Sequence, residues 1–164
     1  MKTLCTLLLA ASAALPLPAF AEVFHVYVSR HGEKVASDSK DPPLAPEGEL
    51  RARHIAAMLK DSGIRQVFST PYLRTRGTAA PTAAQFGLTV QMYDAGKQAQ
   101  FAQRLRSMGG NMLVVGHSNT VPDLVRQLGG EPGGDIGDNE YDRLYQLTFT
   151  DDGNVATSVR SSTP

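Results

Sequence analysis

The sequence predicts an α/β fold in three layers: an open sheet, mostly parallel with an antiparallel edge strand, carrying helices on both faces. Three observations support that expectation. Short apolar, β-branched runs alternate with stretches of helical spacing over most of the chain, and strands separated by helices return in parallel through crossovers. The end of the chain breaks the alternation, because "YDRLYQLTFTDDGNVATSVRS" reads as two strands around an Asp-Gly turn. A length of 164 residues fits one domain with its own core, and no internal repeat divides it.

The first segment does not belong to that domain. Met1 and Lys2 give a positive start, "TLLLAASAALPL" is an apolar core too short to span a bilayer, and "AFA" before Glu22 has the small-x-small form of a cleavage site. Residues 1–21 are therefore read as a secretory signal peptide and residues 22–164 as the domain. Cleavage before Glu22 would release it, periplasmic or secreted, with no stable membrane anchor. Cys5, the only cysteine, leaves with the leader, which removes any disulfide, thiolate nucleophile or thiolate metal site. The 16 basic and 16 acidic residues balance, so no basic excess supports a nucleic-acid surface. Any attraction for an anion must come from a local cluster. The oligomeric state stays open.

The elements follow in order. "EVFHVYVS" (22–29) is a strand, and "KVASDSKDPPLAPEG" a polar, proline-containing loop. Helical spacing runs from Glu47 to about Lys60, with Ala52, Ile55, Met58 and Leu59 on one face and Gly63 as its stop. "RQVFS" (65–69) is a second strand. The next helix is expected to open with Ser69 or Thr70 as cap and Pro71 in the first turn, and to bend at Pro81. "LTVQMY" (88–93) is a weak strand, residues 97–108 are helical, and "NMLVVG" (111–116) is the clearest buried strand. "SNTVPDLVRQLGG" is a helix capped by Ser118 or Asn119 and stopped by Gly129, and "EPGGDIGDNE" is a glycine-rich loop.

In open sheets of this kind, ligands bind just beyond the carboxyl ends of the strands. That rule gathers Arg30 and His31 after the first strand, Ser69 to Arg74 after the second, and His117 after "NMLVVG". Guanidinium forks match phosphate oxygens and stay charged at any workable pH. The helix starts expected at Thr70–Pro71 and Asn119–Thr120 would aim N–H groups at the same place. A neutral imidazole with one nitrogen fixed is a competent nucleophile toward phosphorus, and Gly32 lets the backbone pass close to a ligand. The set suits phosphoryl transfer through a phosphohistidine.

At these residues the chain resembles the histidine phosphatase superfamily, the phosphoglycerate-mutase-like fold, and in particular its short, single-domain bacterial branch. "SRHGEK" resembles the family's Arg-His-Gly signature, which implies that His31 is phosphorylated and Arg30 binds phosphate. "PPLAPEGELRARHIAAML" resembles the Leu-Thr-x-x-Gly helix entry. "STPYLRTRGTAAPTA" resembles Ser-x-x-x-x-Arg-x-x-x-Thr-Ala, which implies a second phosphate-binding arginine at Arg74. "VVGHSNT" resembles the Gly-His segment and implies the second pocket histidine at His117. The resemblance implies a phosphomonoester hydrolase that needs no cofactor or metal and acts on a small phosphate ester. It departs from the family at the proton donor. The acid phosphatase branch carries an aspartate right after the second histidine, where this chain has Ser118. The mutase-type branch carries a glutamate in an insertion, where "VQMYDAGKQAQF" offers only Asp94 as a possible general acid. A binding or sensor module without turnover, a phosphohistidine-protein phosphatase and a sugar-phosphate mutase remain as alternatives.

Other residues keep bland readings. Arg76 competes with Arg74, but two residues on a helix differ by about 200°, so only one faces the pocket. His25 and His54 have no ligand spacing, and no zinc pattern exists. Glu33 and Lys34 are expected at the pocket rim. The acidic stretch Asp135, Asp138, Asn139, Glu140 and Asp142 does not fit a calcium loop and reads as a solvated loop near the rim. Tyr141, Leu144 and Leu147 are expected to pack the last strand.

Overall fold

The computed structural model describes residues 23–164; the expected signal peptide lies outside the described residues. Six strands form one sheet, in the spatial order β3-β2-β4-β1-β5-β6. They are β1 (Phe24–Arg30), β2 (Gln66–Ser69), β3 (Val90–Met92), β4 (Met112–Gly116), β5 (Arg143–Phe149) and β6 (Val155–Ser161). The helices are α1 (Pro46–Met58), α2 (Leu73–Gln85), α3 (Gln98–Met108) and α4 (Val121–Gln127). Strands β1 to β4 pair in parallel, while β5 runs antiparallel to β1 and β6 antiparallel to β5. The antiparallel edge expected from the last segment is therefore a pair of strands. Among the described residues no helix is long and apolar enough to cross a membrane.

Alternation along the strands builds the two cores, since successive side chains point to opposite faces. Val26, Val28, Met112, Val114, Tyr145 and Leu147 pack under α3 and α4 with Phe101, Leu105, Leu124 and Val125. Tyr27, Leu113, Val115 and Leu144 pack on the other face with Ile55 and Leu59 of the α1 segment and Ala79 and Ala83 of α2. Every residue of β4 is buried, as a central parallel strand covered on both faces must be.

Three element boundaries differ from the sequence reading. Helix α2 starts at Leu73, beyond Ser69 and Thr70, because its first N–H is capped from a distance: Leu73 N donates to Asp41 Oδ1 at 2.8 Å. Ser69 instead ends β2. Helix α4 starts at Val121 with Thr120 at the cap position, because the His117 carbonyl closes the preceding turn by accepting from Thr120 N and Val121 N. Strand β3 keeps only three residues, since it lies at the sheet edge with β2 as its one neighbour. The glycine stops are as expected: Gly63 and Gly129 have φ of 57° and 84°, the left-handed region that favours glycine.

The loop after β1 is pressed onto the start of α1. A Cβ at Gly48 would lie 2.1 Å from the Glu33 carbonyl oxygen, and a Cβ at Gly32 would lie 2.8 Å from Gly48 Cα. Two glycines let the backbones touch. The contact is locked by Arg51, which binds both Glu33 carboxylate oxygens through Nε and Nη2 and the Ser162 carbonyl through Nη1 at 3.0 Å. The carboxylate of Glu33 is thus committed to a structural ion pair rather than to the pocket rim.

Candidate active site

Three parallel strands end side by side, and each hands its next residue to one place. Arg30 lies opposite Gly116 in the β1–β4 ladder, and His31 N donates to Gly116 O at 3.0 Å. His31 and His117 therefore become neighbours, with ring centroids 5.5 Å apart at an interplanar angle of 69°. β2 ends beside β4, which places Thr70 Oγ1 2.9 Å from His117 Nε2. Arg74 comes from the first turn of α2, its guanidinium 4.5 Å from the centroid of the Tyr72 ring. That ring packs edge-on against His117 at 5.1 Å. Arg30, His31, Arg74 and His117 are brought together, whereas Arg76 is exposed on the far side of its helix.

The histidines are held differently. His31 is 4% exposed, and its Nδ1 lies 2.7 Å from the Gly32 carbonyl oxygen. A carbonyl only accepts, so Nδ1 carries the proton and Nε2 keeps its lone pair. Burial, then the charges of Arg30, His117 and Arg74, push the His31 pKa down to about 4, against the opposing pull of the Gly32 bond. His117 is also pushed down to about 4, by burial first and then by Arg74 and Arg30. Both rings are neutral nucleophiles or acceptors at neutral pH.

The arginines are held so that part of each guanidinium is left over. Arg30 Nη1 donates to the carbonyls of Gly137, Asp138 and Glu140 at 2.8, 3.0 and 2.7 Å, and its plane lies 4.0 Å from the Tyr141 ring centroid. Arg30 Nε, Arg74 Nε and Arg74 Nη1 are buried without a hydrogen-bond partner. Asp41 comes no closer to Arg74 Nη1 than 3.6 Å, too far for a hydrogen bond. Buried cationic donors without acceptors are costly, and three of them around two neutral imidazoles make a site shaped for an oxyanion.

Several of these partners were not singled out from the sequence. Tyr141 precedes β5 and faces His31, with centroids 6.1 Å apart, rather than packing the last strand. The acidic loop is more than a solvated turn: its carbonyls hold Arg30, and Arg143 ties it together through Gly134 O, Asp135 O and the Glu140 carboxylate. Thr78 accepts from Gly32 N at 2.9 Å and donates to Arg74 O at 2.8 Å, which fixes the histidine loop to α2. Its position in the Arg-x-x-x-Thr pattern was the available signal. Nothing local marks Asp41 or Tyr141.

Asp94 lies at the entry of a short 3-10 turn, where its Oδ1 accepts from Gly96 N at 2.8 Å. It is exposed and 4.0 Å from Lys97 Nζ. With Thr70, Pro71, Tyr72, Met92 and Tyr93 it lines an open cleft of about 510 Å³. Thr70 and Tyr72 both touch His117, so this cleft lies next to that histidine. His25 bonds Thr148 Oγ1 at 3.0 Å, a structural role within the sheet. Among the described residues no cluster of three or more His, Cys, Asp or Glu could hold a metal ion.

Residues 26–101 match the family model of the histidine phosphatase superfamily (branch 1). Over that segment, a little under half of the chain, the sequence resembles the histidine phosphatase superfamily. It is 28% identical over 107 residues to the probable phosphoglycerate mutase GpmB of Escherichia coli (strain K12 / DH10B), covering 62% of this chain. The match covers 46% of that relative, so the chain spans about half the length of the curated relatives it matches. Among solved structures, the protein histidine phosphatase SixA complexed with tungstate aligns with a TM-score of 0.67 and 22% identity, over 84% of this chain and 97% of that one. A phosphoserine phosphatase from Entamoeba histolytica in complex with 3-phosphoglyceric acid aligns at 0.63 and 16%, over 84% and 97%. These two likenesses establish the shared fold.

The depressed histidines have a consequence for stability. An imidazole whose pKa falls from 6.5 to about 4 on folding leaves the native state with fewer protons than the unfolded chain between those values. Stability from these two rings is complete above pH 6.5 and is lost as pH falls toward 4. Urea unfolding at about pH 7.5 and about pH 4.5 is expected to show a drop that the double variant His31→Ala/His117→Ala largely lacks. Equal drops in the two proteins would contradict the assignment.

Proposed function

We propose that the protein is a phosphomonoester hydrolase that works through a phosphohistidine on His31. His31 Nε2 attacks phosphorus, the P–N bond forms as the ester P–O bond breaks, and the leaving oxygen takes a proton. Water then attacks the same phosphorus, the P–N bond breaks and phosphate departs. Arg30, Arg74 and His117 hold the non-bridging oxygens, where charge stabilisation and positioning carry most of the catalysis. The reading rests above all on one observation: three buried guanidinium nitrogens without partners belong to the two arginines whose charges act on an imidazole with its tautomer fixed and Nε2 free. The substrate is a small phosphate ester, and the leader-like first residues support action outside the cytosol.

The leaving group belongs in the cleft of Thr70, Tyr72 and Met92, and Asp94 at its rim is the candidate general acid. Proton donation of this kind is worth about 10²–10⁴-fold and matters most for poor leaving groups. The test compares an aryl phosphate with an alkyl phosphate. The purified protein is expected to hydrolyse both, and Asp94→Asn to lose about 10²-fold on the alkyl ester but under about tenfold on the aryl ester. Equal small losses on both would remove Asp94 from the mechanism. No hydrolysis of either ester would remove the phosphatase reading itself.

A further inference from the structure

One chain of hydroxyls next to the histidines has a direction that hydrogen-bonding rules determine. Thr75 Oγ1 lies 3.0 Å from the carbonyl oxygens of both Thr70 and Tyr72. Carbonyls only accept, so the single Thr75 hydroxyl proton points at them. Thr70 Oγ1 lies 2.9 Å from Thr75 Oγ1 and must then be the donor in that pair. With its own proton spent, Thr70 can only accept from His117 Nε2, 2.9 Å away. Thr70 and Thr75 are 1% and 0% exposed, so water does not offer either hydroxyl another partner. The neutral His117 ring therefore carries its proton on Nε2 and leaves Nδ1 bare.

That tautomer is the wrong one for an anion. A bare nitrogen facing a phosphoryl oxygen opposes two lone pairs, and only a protonated Nδ1 can donate. Rotating the tautomer would put two acceptors, Nε2 and Thr70 Oγ1, face to face. We infer that Thr70, oriented by Thr75, is a positioning residue that compels His117 to take up one proton from solvent on Nδ1 whenever the pocket binds a phosphoryl group. The inference rests on the phosphoryl-binding reading of the site and adds a proton to it. Uptake happens on binding, and the proton returns to solvent when the anion leaves.

The surroundings agree with such a switch. His117 faces Arg74 from α2, Arg30 and His31 from the end of β1, and the Tyr72 ring from the segment before α2. Asp41 sits behind Arg74, and Asp138, Glu140 and Tyr141 act on the site through Arg30. Without an anion, burial and then the two guanidinium charges keep the ring neutral. A bound dianion reverses that local balance, and the ring charges.

Sulfate is the probe, because it is fully ionised across the range while phosphate itself titrates. His31 could also take a proton, so the measurements are made in the His31→Asn background, with sulfate affinity followed by calorimetry from about pH 5.5 to 8. The expected result is a dissociation constant that rises about tenfold per pH unit, with uptake of close to one proton. Adding Thr70→Val frees the tautomer and is expected to flatten that slope, since a neutral ring can then donate from Nδ1. A slope unchanged by Thr70→Val, or no slope in the background protein, would overturn the inference while leaving an anion pocket in place. Absence of sulfate binding would sink the pocket reading along with it. If Thr70→Val does not fold, the ¹⁵N shifts of His117 in the ligand-free protein decide the matter: a protonated Nε2 with bare Nδ1 supports the inference, and the reverse overturns it.

Discussion

Replacing His31 with alanine is expected to lower the rate of phosphate-ester hydrolysis by at least about 10⁴-fold, the scale on which enzymes lose activity when the nucleophile is removed. Arg30, Arg74 and His117 would still hold the anion, but nothing would remain to accept the phosphoryl group. The loss should fall on kcat, with substrate binding largely kept, because the binding donors come from other residues. Unfolding is not the expected cause. His31 is a charge-poor ring whose protonation the fold disfavours, and its removal frees one carbonyl, that of Gly32. Steady-state kinetics beside a thermal melt separates the two effects. Undiminished activity in a folded His31→Ala protein would end the nucleophile assignment.

Arg74→Lys is expected to cost about 10²–10³-fold in kcat/KM, although the charge is conserved. Lysine presents a compact point charge, whereas the site holds two buried arginine nitrogens, Nε and Nη1, that have no partner of their own and donate in fixed, different directions within one plane. The Tyr72 ring centroid lies 4.5 Å from that guanidinium, a flat stacking contact that an ammonium group cannot make in the same way. Stability should not fall with activity. Unpaired buried donors are a liability to the free protein, so the variant is expected to melt at the same temperature or higher. Kinetics and a melting curve on one preparation test both halves. A lysine variant within about threefold of the parent would show that charge alone suffices and that the fork geometry is idle.

The sheet, its parallel run and the antiparallel end are legible in the sequence because strand alternation and helix stops are local signals. "NMLVVG" announces a strand covered on both faces, and that is where β4 lies. The convergence of Arg30, His31, Arg74 and His117 is legible for a related reason: parallel strands deposit whatever follows them along one edge. What stays hidden is carried by long-range contacts. Asp41 caps α2 from 32 residues upstream, which no local capping pattern reveals, and so the start of α2 is misplaced by the Ser-Thr-Pro signal. The carbonyls that clamp Arg30 come from residues 137–140, more than a hundred positions away, in a loop whose acidic side chains suggest a solvated turn. Tyr141 looks like a strand residue until the loop turns its ring onto Arg30. Gly32 is visible as a permissive residue, but its contact with Gly48 requires the two backbones to be seen together.

The central claim is a covalent phosphoryl group on a ring nitrogen of His31. Turnover quenched in alkali, where phosphoramidate bonds persist, followed by peptide mass spectrometry, addresses it most directly. The account predicts one phosphoryl group on the peptide carrying His31, lost on mild acid treatment and missing from His31→Ala. An unmodified His31 peptide during rapid turnover, or a phosphoryl group carried by another residue, would contradict it.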